Sequence, residues 1–237
     1  MGKFIVIEGI DGSGKATQTK ILETILKEKG YKVASISFPS YHKRTATFVE
    51  KFLKGEFGPL EMIDPYVASS FYILDRFGQR ETLMQKLEEN DVVISDRYSI
   101  SNFIHRWATF LEQGDHEGLQ LFFSRLKEFE FERAKLPQPD LIIFLSLSMR
   151  NIQKLLEKKA QEERSYVTSA DGLDTAEKNI SHQGLALTIG QEILPSYFEN
   201  YQIIKCEDGH GTILEPEKIH KKIMEAVEKS LEKKTGS

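Results

Sequence analysis

The sequence predicts an α/β fold, with a five-stranded parallel sheet covered by helices on both faces. Two observations carry this prediction. Apolar runs near residues 3–8, 32–38, 91–96, 140–147 and 201–206 alternate with longer segments of helical period. Val92-Val93-Ile94 and Leu141-Ile142-Ile143-Phe144-Leu145 are nearly continuous instead of alternating, which marks strands buried on both sides. A chain of 237 residues with 40% hydrophobic content can bury a sizeable core. No linker or internal repeat divides it, so one domain over residues 1–237 is expected.

Taken in order, Phe4-Ile5-Val6-Ile7 forms the first strand and runs into the glycine-rich stretch from Gly9 to Lys15. A helical pattern follows over 14–29, with Ile21, Leu22, Ile25 and Leu26 on its apolar side. Helical segments are expected over 44–54, 65–89, 99–134, 149–162, 176–199 and 215–234. Pro137 and Pro139 end the 99–134 segment just before the fourth strand, where they remove no ladder hydrogen bond. Pro195 should end or kink the helix containing it. The stretch 161–184 is polar and broken by Gly172 and Gly184, which reads as a mobile lid. In the last segment Ile219, Ile223, Val227 and Leu231 form one apolar edge of a solvated surface helix.

Composition narrows the function. A net charge of −4 and a pI near 5.9 argue against a general nucleic-acid binder, which would carry a basic stripe. Cys206 is the only cysteine, so neither an intramolecular disulfide nor a cysteine metal cluster is expected, and a reducing cytoplasm suits the chain. No apolar run reaches the length of a membrane span, and the start enters a strand without an apolar leader. Met1-Gly2-Lys3 has Val6 where a myristoylation site wants Ser or Thr, so no lipid anchor is expected.

The chemistry concentrates at two places. Gly9-Ile10-Asp11-Gly12-Ser13-Gly14-Lys15 lies between strand and helix, where glycines turn backbone N–H groups around a phosphate and Lys15 reaches the outer phosphates. The next position, which usually supplies a hydroxyl to magnesium, is Ala16, and Thr17 points elsewhere on the helix. Weaker or re-routed metal binding is expected there, with phosphate binding kept. A regulator that binds nucleotide without turnover stays open at this point.

The second place is Ser95-Asp96-Arg97-Tyr98 at the carboxyl edge of the third strand, where open α/β sheets bind ligands. Asp96 is in position to direct magnesium and Arg97 to hold a phosphate; the alternative is a plain ion pair within the loop. Tyr72 and Arg76 share a helix face and suit a base, or else they are helix core with an Asp75–Arg76 surface pair. Phe38 and Tyr41 after the second strand are read equally as packing or recognition.

Together the ordered motifs Glu8 to Lys15, Phe38-Pro39, Leu74-Asp75-Arg76, Asp96-Arg97-Tyr98 with Ser101-Asn102, and Leu136-Pro137-Gln138-Pro139-Asp140 resemble the thymidylate kinase family. The resemblance implies a three-layer P-loop NTPase fold and transfer of the γ-phosphoryl group of ATP to dTMP, giving dTDP and ADP, with Mg2+. It also implies a cytoplasmic homodimer, with the pattern between Tyr66 and Leu87 available for the interface. The alternatives are another nucleoside monophosphate or deoxynucleoside kinase, or the non-catalytic regulator. A GTPase switch is disfavoured because no Asn-Lys-x-Asp motif occurs.

By the same resemblance, Gly9, Ile10, Asp11, Gly12, Ser13, Gly14, Lys15, Ala16 and Thr17 form the ATP loop, and Asp11 and Arg97 organise the acceptor phosphate. Tyr72 stacks on thymine, Arg76 bonds its carbonyl edge, and Ser101 and Asn102 sit near the base. Phe38, Pro39 and Tyr41 line the acceptor site, and Asp11 and Asp96 orient the metal or its waters. His105 stands where some relatives carry a tyrosine that senses the sugar. Gly12 leaves no arginine in the loop, so the resemblance assigns the catalytic arginine to the lid, where Arg164 is the only one, with Lys158 and Lys159 nearby. Asp174 and Glu177 resemble the acidic pair after the lid, with Ala176 between them in place of a tyrosine.

Overall fold

The computed structural model describes residues 1–114, 116–164 and 180–232. Strands β1 (Lys3–Glu8), β2 (Val33–Ser37), β3 (Val92–Asp96), β4 (Leu141–Ser146) and β5 (Tyr201–Lys205) pair throughout in parallel, in the order β2-β3-β1-β4-β5. Register pairs both Ile7 and Ser37 with Asp96, so β1, β2 and β3 end at one edge. Alternation along β1 sends Ile5 and Ile7 to a core under α1 (Lys15–Glu28), α5 (Ser99–Gln113) and α9 (Pro216–Glu232). Phe4 and Val6 face a second core with Phe38, Leu83, Leu87 and Tyr98. The predicted three-layer architecture is the observed one.

Helix boundaries differ from the sequence pattern where local chemistry interrupts it. The segment expected over 65–89 divides at Gln79 into α3 (Pro65–Gly78) and α4 (Arg80–Glu89). Asp64 caps α3 by accepting from the N–H groups of Tyr66 (2.8 Å) and Val67 (3.2 Å), with Pro65 in the first turn. The 99–134 segment breaks after α5 at Gly114, whose φ of 72° is left-handed. It resumes as α6 (His116–Lys127) and a π-turn over Glu128–Arg133. Thr47–Leu53 forms α2, and Met149–Arg164 forms α7.

Within the stretch expected as a lid, residues 161–164 continue α7, and Ile180–Thr188 forms α8. Residues 165–179, including Asp174 and Glu177, lie outside the described residues. After α8 the chain winds through a π-turn and then a tight turn at Leu194–Ser196, the break anticipated at Pro195. On α9, Ile219, Ile223 and Val227 are buried, as the apolar edge predicted.

Candidate active site

The turn between β1 and α1 has a backbone that requires glycine. Gly9 has a φ of 147°, and a Cβ there would lie 2.6 Å from the Ser13 Oγ and 2.9 Å from the Leu145 carbonyl oxygen. Gly12 packs under α7, so that a side chain would press on Leu156 (3.1 Å) and Ile152 (3.2 Å). α1 starts after Gly14 with no side-chain cap and no acid in its first turn, which leaves its first N–H groups open to an anion. Buried Lys15 folds back across this loop, donating to the Ile10 carbonyl (2.9 Å) and lying 3.9 Å from Asp11. Ala16 and Thr17 are exposed at the start of the helix.

Asp96 ends β3 beside this loop. One of its carboxylate oxygens is buried without a hydrogen-bond partner among the described residues. Burial raises its pKa, and the charge of Lys15 pulls it back. A sheltered, unsatisfied oxygen next to a phosphate loop fits the water shell of a hydrated Mg2+, to which Ala16 brings no ligand. Among the described residues no three acidic, cysteine or histidine side chains converge as a metal cage.

Arg97 adopts a left-handed φ of 63° and donates its backbone N–H to Ile7 (3.0 Å). Its side chain does not pair with Asp96, contrary to the intra-loop alternative. It forms an ion pair with Asp11 and reaches the Ser101 hydroxyl (3.3 Å) and the Gly9 carbonyl (3.4 Å). Glu8, fully buried, holds this turn in place by accepting from the N–H groups of Tyr98 (2.8 Å) and Ser101 (3.1 Å) and from the Ser101 hydroxyl (2.7 Å). Burial pushes the Glu8 pKa up, while Arg97 and these hydrogen bonds act against the rise.

From Asp11 and Arg97 a cavity of about 800 Å³ runs between α2, α3, α5 and α8. Pro39, Tyr41, Tyr72, Arg76, Ser101, Asn102 and His105 all line it, together with Phe38, whose ring packs 5.5 Å from that of Tyr98. The Asp75–Arg76 pair of the alternative reading is absent. Arg76 instead forms a two-point pair with Glu130, Nε to Oε2 at 3.1 Å and Nη2 to Oε1 at 2.5 Å, with side chains 2% and 0% exposed. Asp75 accepts from Ser40 N–H (2.8 Å), the Ser40 hydroxyl and Thr45 (2.8 Å), which pins the Phe38–Tyr41 segment against α3.

His105 stacks on His182 with centroids 5.5 Å apart and planes 9° apart; His105 Nδ1 and His182 Nε2 are 3.3 Å apart. Glu112 lies 3.0 Å from His182 Nδ1. Burial, then His182 and the surrounding cations, holds the pKa of His105 well below the ordinary imidazole value. Gln183 of α8 donates to Asp11 (3.3 Å), joining α8 to the phosphate loop. Arg164 ends α7, which packs on that loop; its side chain, like those of Lys158 and Lys159, lies outside the described residues.

Sequence reasoning quoted Glu8 in the loop motif without giving it a role, and missed Glu130, Arg106 and His182. Only Glu8 carried a local signal, as a carboxylate closing a strand that is otherwise apolar.

Comparisons with known proteins converge. The chain is 33% identical over 146 residues to the thymidylate kinase of Mycobacterium tuberculosis, covering 61% of this chain and 66% of that one. It is 27% identical over 215 residues to a probable thymidylate kinase of Pyrococcus horikoshii, covering 90% and 94%. A solved thymidylate kinase structure from Candida albicans superposes with a TM-score of 0.69 at 21% identity, over 97% of this chain and 93% of that one, which establishes the shared fold. The family model described as thymidylate kinase matches residues 7–182, from the end of β1 into α8, and this chain therefore belongs to the thymidylate kinase family.

Proposed function

We propose that this protein, acting as a single domain over its whole length, transfers the γ-phosphoryl group of ATP to dTMP, giving dTDP and ADP. One observation carries the reading. Asp11 links the phosphate loop to Arg97 at one end of a cavity whose farther wall holds Tyr72, Arg76 and Asn102. The donor triphosphate lies on the loop amides and Lys15, while the acceptor phosphate replaces Asp11 as the partner of Arg97. An acceptor oxygen then attacks the γ-phosphorus, and the bond to the bridging oxygen breaks to release ADP.

Protein groups contribute mainly by positioning and by stabilising charge. Asp96 and Asp11 would hold the water shell of Mg2+, and the ion would neutralise phosphate charge. Tyr72 stacks on the base, Phe38, Pro39 and Tyr41 close its sides, Ser101 fixes Arg97, and His105 faces the sugar. Arg164 approaches the transferred group from α7. The protein works in the cytoplasm; its one cysteine is buried, and no helix among the described residues is long and apolar enough to cross a membrane.

A coupled assay for ADP with ATP and a panel of dTMP, dUMP, dCMP, UMP and AMP tests this. Highest kcat/KM with dTMP is expected. Preference for another acceptor supports a different nucleoside monophosphate kinase, and nucleotide binding without ADP release supports a regulator.

A further inference from the structure

α8 meets α5 through a chain of three polar side chains. Glu112 Oε2, near the end of α5, lies 3.0 Å from His182 Nδ1, and His182 Nε2 lies 3.3 Å from His105 Nδ1. The two rings are nearly parallel, with planes 9° apart. Glu112 and His105 are two turns apart on one face of α5, and His182 of α8 bridges the gap between them. All three residues line the cavity. The other nitrogen of His105, Nε2, makes no hydrogen bond among the described residues and is not one of the unpartnered atoms closed to solvent.

The direction of each hydrogen bond follows from the end of the chain that can only accept. A carboxylate has no proton to give, so His182 carries its hydrogen on Nδ1 and keeps a lone pair on Nε2. His105 must then be the donor from Nδ1 across the 3.3 Å gap. Burial, followed by the charges of His182, Arg97, Arg106 and Lys15, holds the pKa of His105 well below the ordinary imidazole value. The ring is therefore neutral, and its one hydrogen is committed to His182. What His105 offers the cavity is the lone pair of Nε2, and a ligand group that meets it must bring a hydrogen.

We propose that Glu112 and His182 are positioning residues of the acceptor site: they fix which nitrogen of His105 carries hydrogen, so that its Nε2 accepts a hydrogen bond from the sugar hydroxyl of the nucleoside monophosphate. Without the carboxylate nothing holds the hydrogen of His182 on Nδ1. Moved to Nε2, that hydrogen faces His105 Nδ1, and His105 must turn an N–H to the cavity in place of a lone pair. Both residues act through His105, whose tautomer is the link between α8 and the ligand. This inference rests on the acceptor reading above and adds to it two residues outside the family motifs.

The experiment reads tautomers by NMR of isotope-labelled histidine in wild type and Glu112→Leu, with His105→Phe to assign the signals. At neutral pH, wild-type His105 and His182 should each carry hydrogen on Nδ1 alone, and dTMP should shift the signal of His105 Nε2. In Glu112→Leu the hydrogen of His105 should move to Nε2. Calorimetry then compares dTMP with its 3′-deoxy-3′-fluoro analogue, which has no hydroxyl to donate. His105→Phe should raise the Kd for dTMP about two- to tenfold, the worth of one neutral hydrogen bond, and leave that of the analogue unchanged. A wild-type His105 with hydrogen on Nε2, a His182 protonated on both nitrogens, or a His105 tautomer indifferent to Glu112→Leu overturns the relay. Equal loss for dTMP and analogue in His105→Phe overturns the hydroxyl contact. Wild-type protein that binds no dTMP overturns the acceptor reading itself; the tautomers are read without ligand, so the two failures are distinguishable.

Discussion

At the scale of single residues, the site holds charged and polar groups in states that solvent would not choose. His105 is the clearest case for a pH effect. In the unfolded chain its imidazole takes a proton near the ordinary value of 6.5, whereas burial and His182 keep it neutral in the fold to much lower pH. Below pH 6.5 the unfolded state therefore binds more protons, so stability falls as pH drops; above it both states are neutral and the group contributes no slope. Replacing His105 with Phe removes this term. Denaturant unfolding of both proteins from pH 8 to pH 5 should show the wild type losing up to about 1.4 kcal/mol per pH unit relative to the variant below that point. Parallel curves would refute the assignment. Glu8 shows the opposite sign, since its raised pKa favours the fold as pH falls through the range above the ordinary carboxylate value, and comparing variant with wild type separates the two.

At the scale of elements, the fold was legible wherever structure follows local pattern. Continuous apolar runs located β3 and β4, and the spacing of Gly9, Gly12, Gly14 and Lys15 located the loop, because each depends on neighbours in sequence. Glu130 was invisible for the converse reason: it reaches Arg76 across 54 positions, from a π-turn whose extra residue per turn no amphipathic period anticipates. Arg106 looked like an ordinary polar position on an amphipathic helix, and only the packing of α2 and α3 against α5 shows that it faces a cavity. The π-turn has a measurable consequence. Glu130→Ala leaves the Arg76 cation buried without a countercharge, which costs about 3–5 kcal/mol for pairs of this kind. Differential scanning calorimetry should show Tm lowered by roughly 10 °C at this chain length. A double replacement, Arg76→Met with Glu130→Leu, should recover most of that stability while losing dTMP affinity. A single Glu130→Ala variant melting like the wild type would show that the pair contributes nothing to the fold.

At the scale of the whole molecule, α3 has two faces with different duties. Tyr72 and Arg76 turn toward the cavity, whereas Val67, Leu74 and Phe77, at spacings that return to one side of a helix, are 47%, 52% and 53% exposed on nearly the opposite side. Single exposed apolar residues are common, but an aligned stripe on one helix is the kind of surface that another chain covers. A two-fold contact would set this stripe against its own copy, the self-complementary arrangement of most soluble homodimers, and would stiffen the helix carrying Arg76 from its outer side. On this reading the second copy stabilises the acceptor wall without adding a residue to the cavity. Leu74→Asp places a charge on the stripe and touches nothing in the site. In sedimentation velocity it should shift the protein from dimer to monomer, and KM for dTMP should rise while KM for ATP holds, because the phosphate loop lies on a different element. A wild type that sediments as a monomer at micromolar concentration, or a Leu74→Asp protein that remains a dimer, would rule this stripe out as the interface.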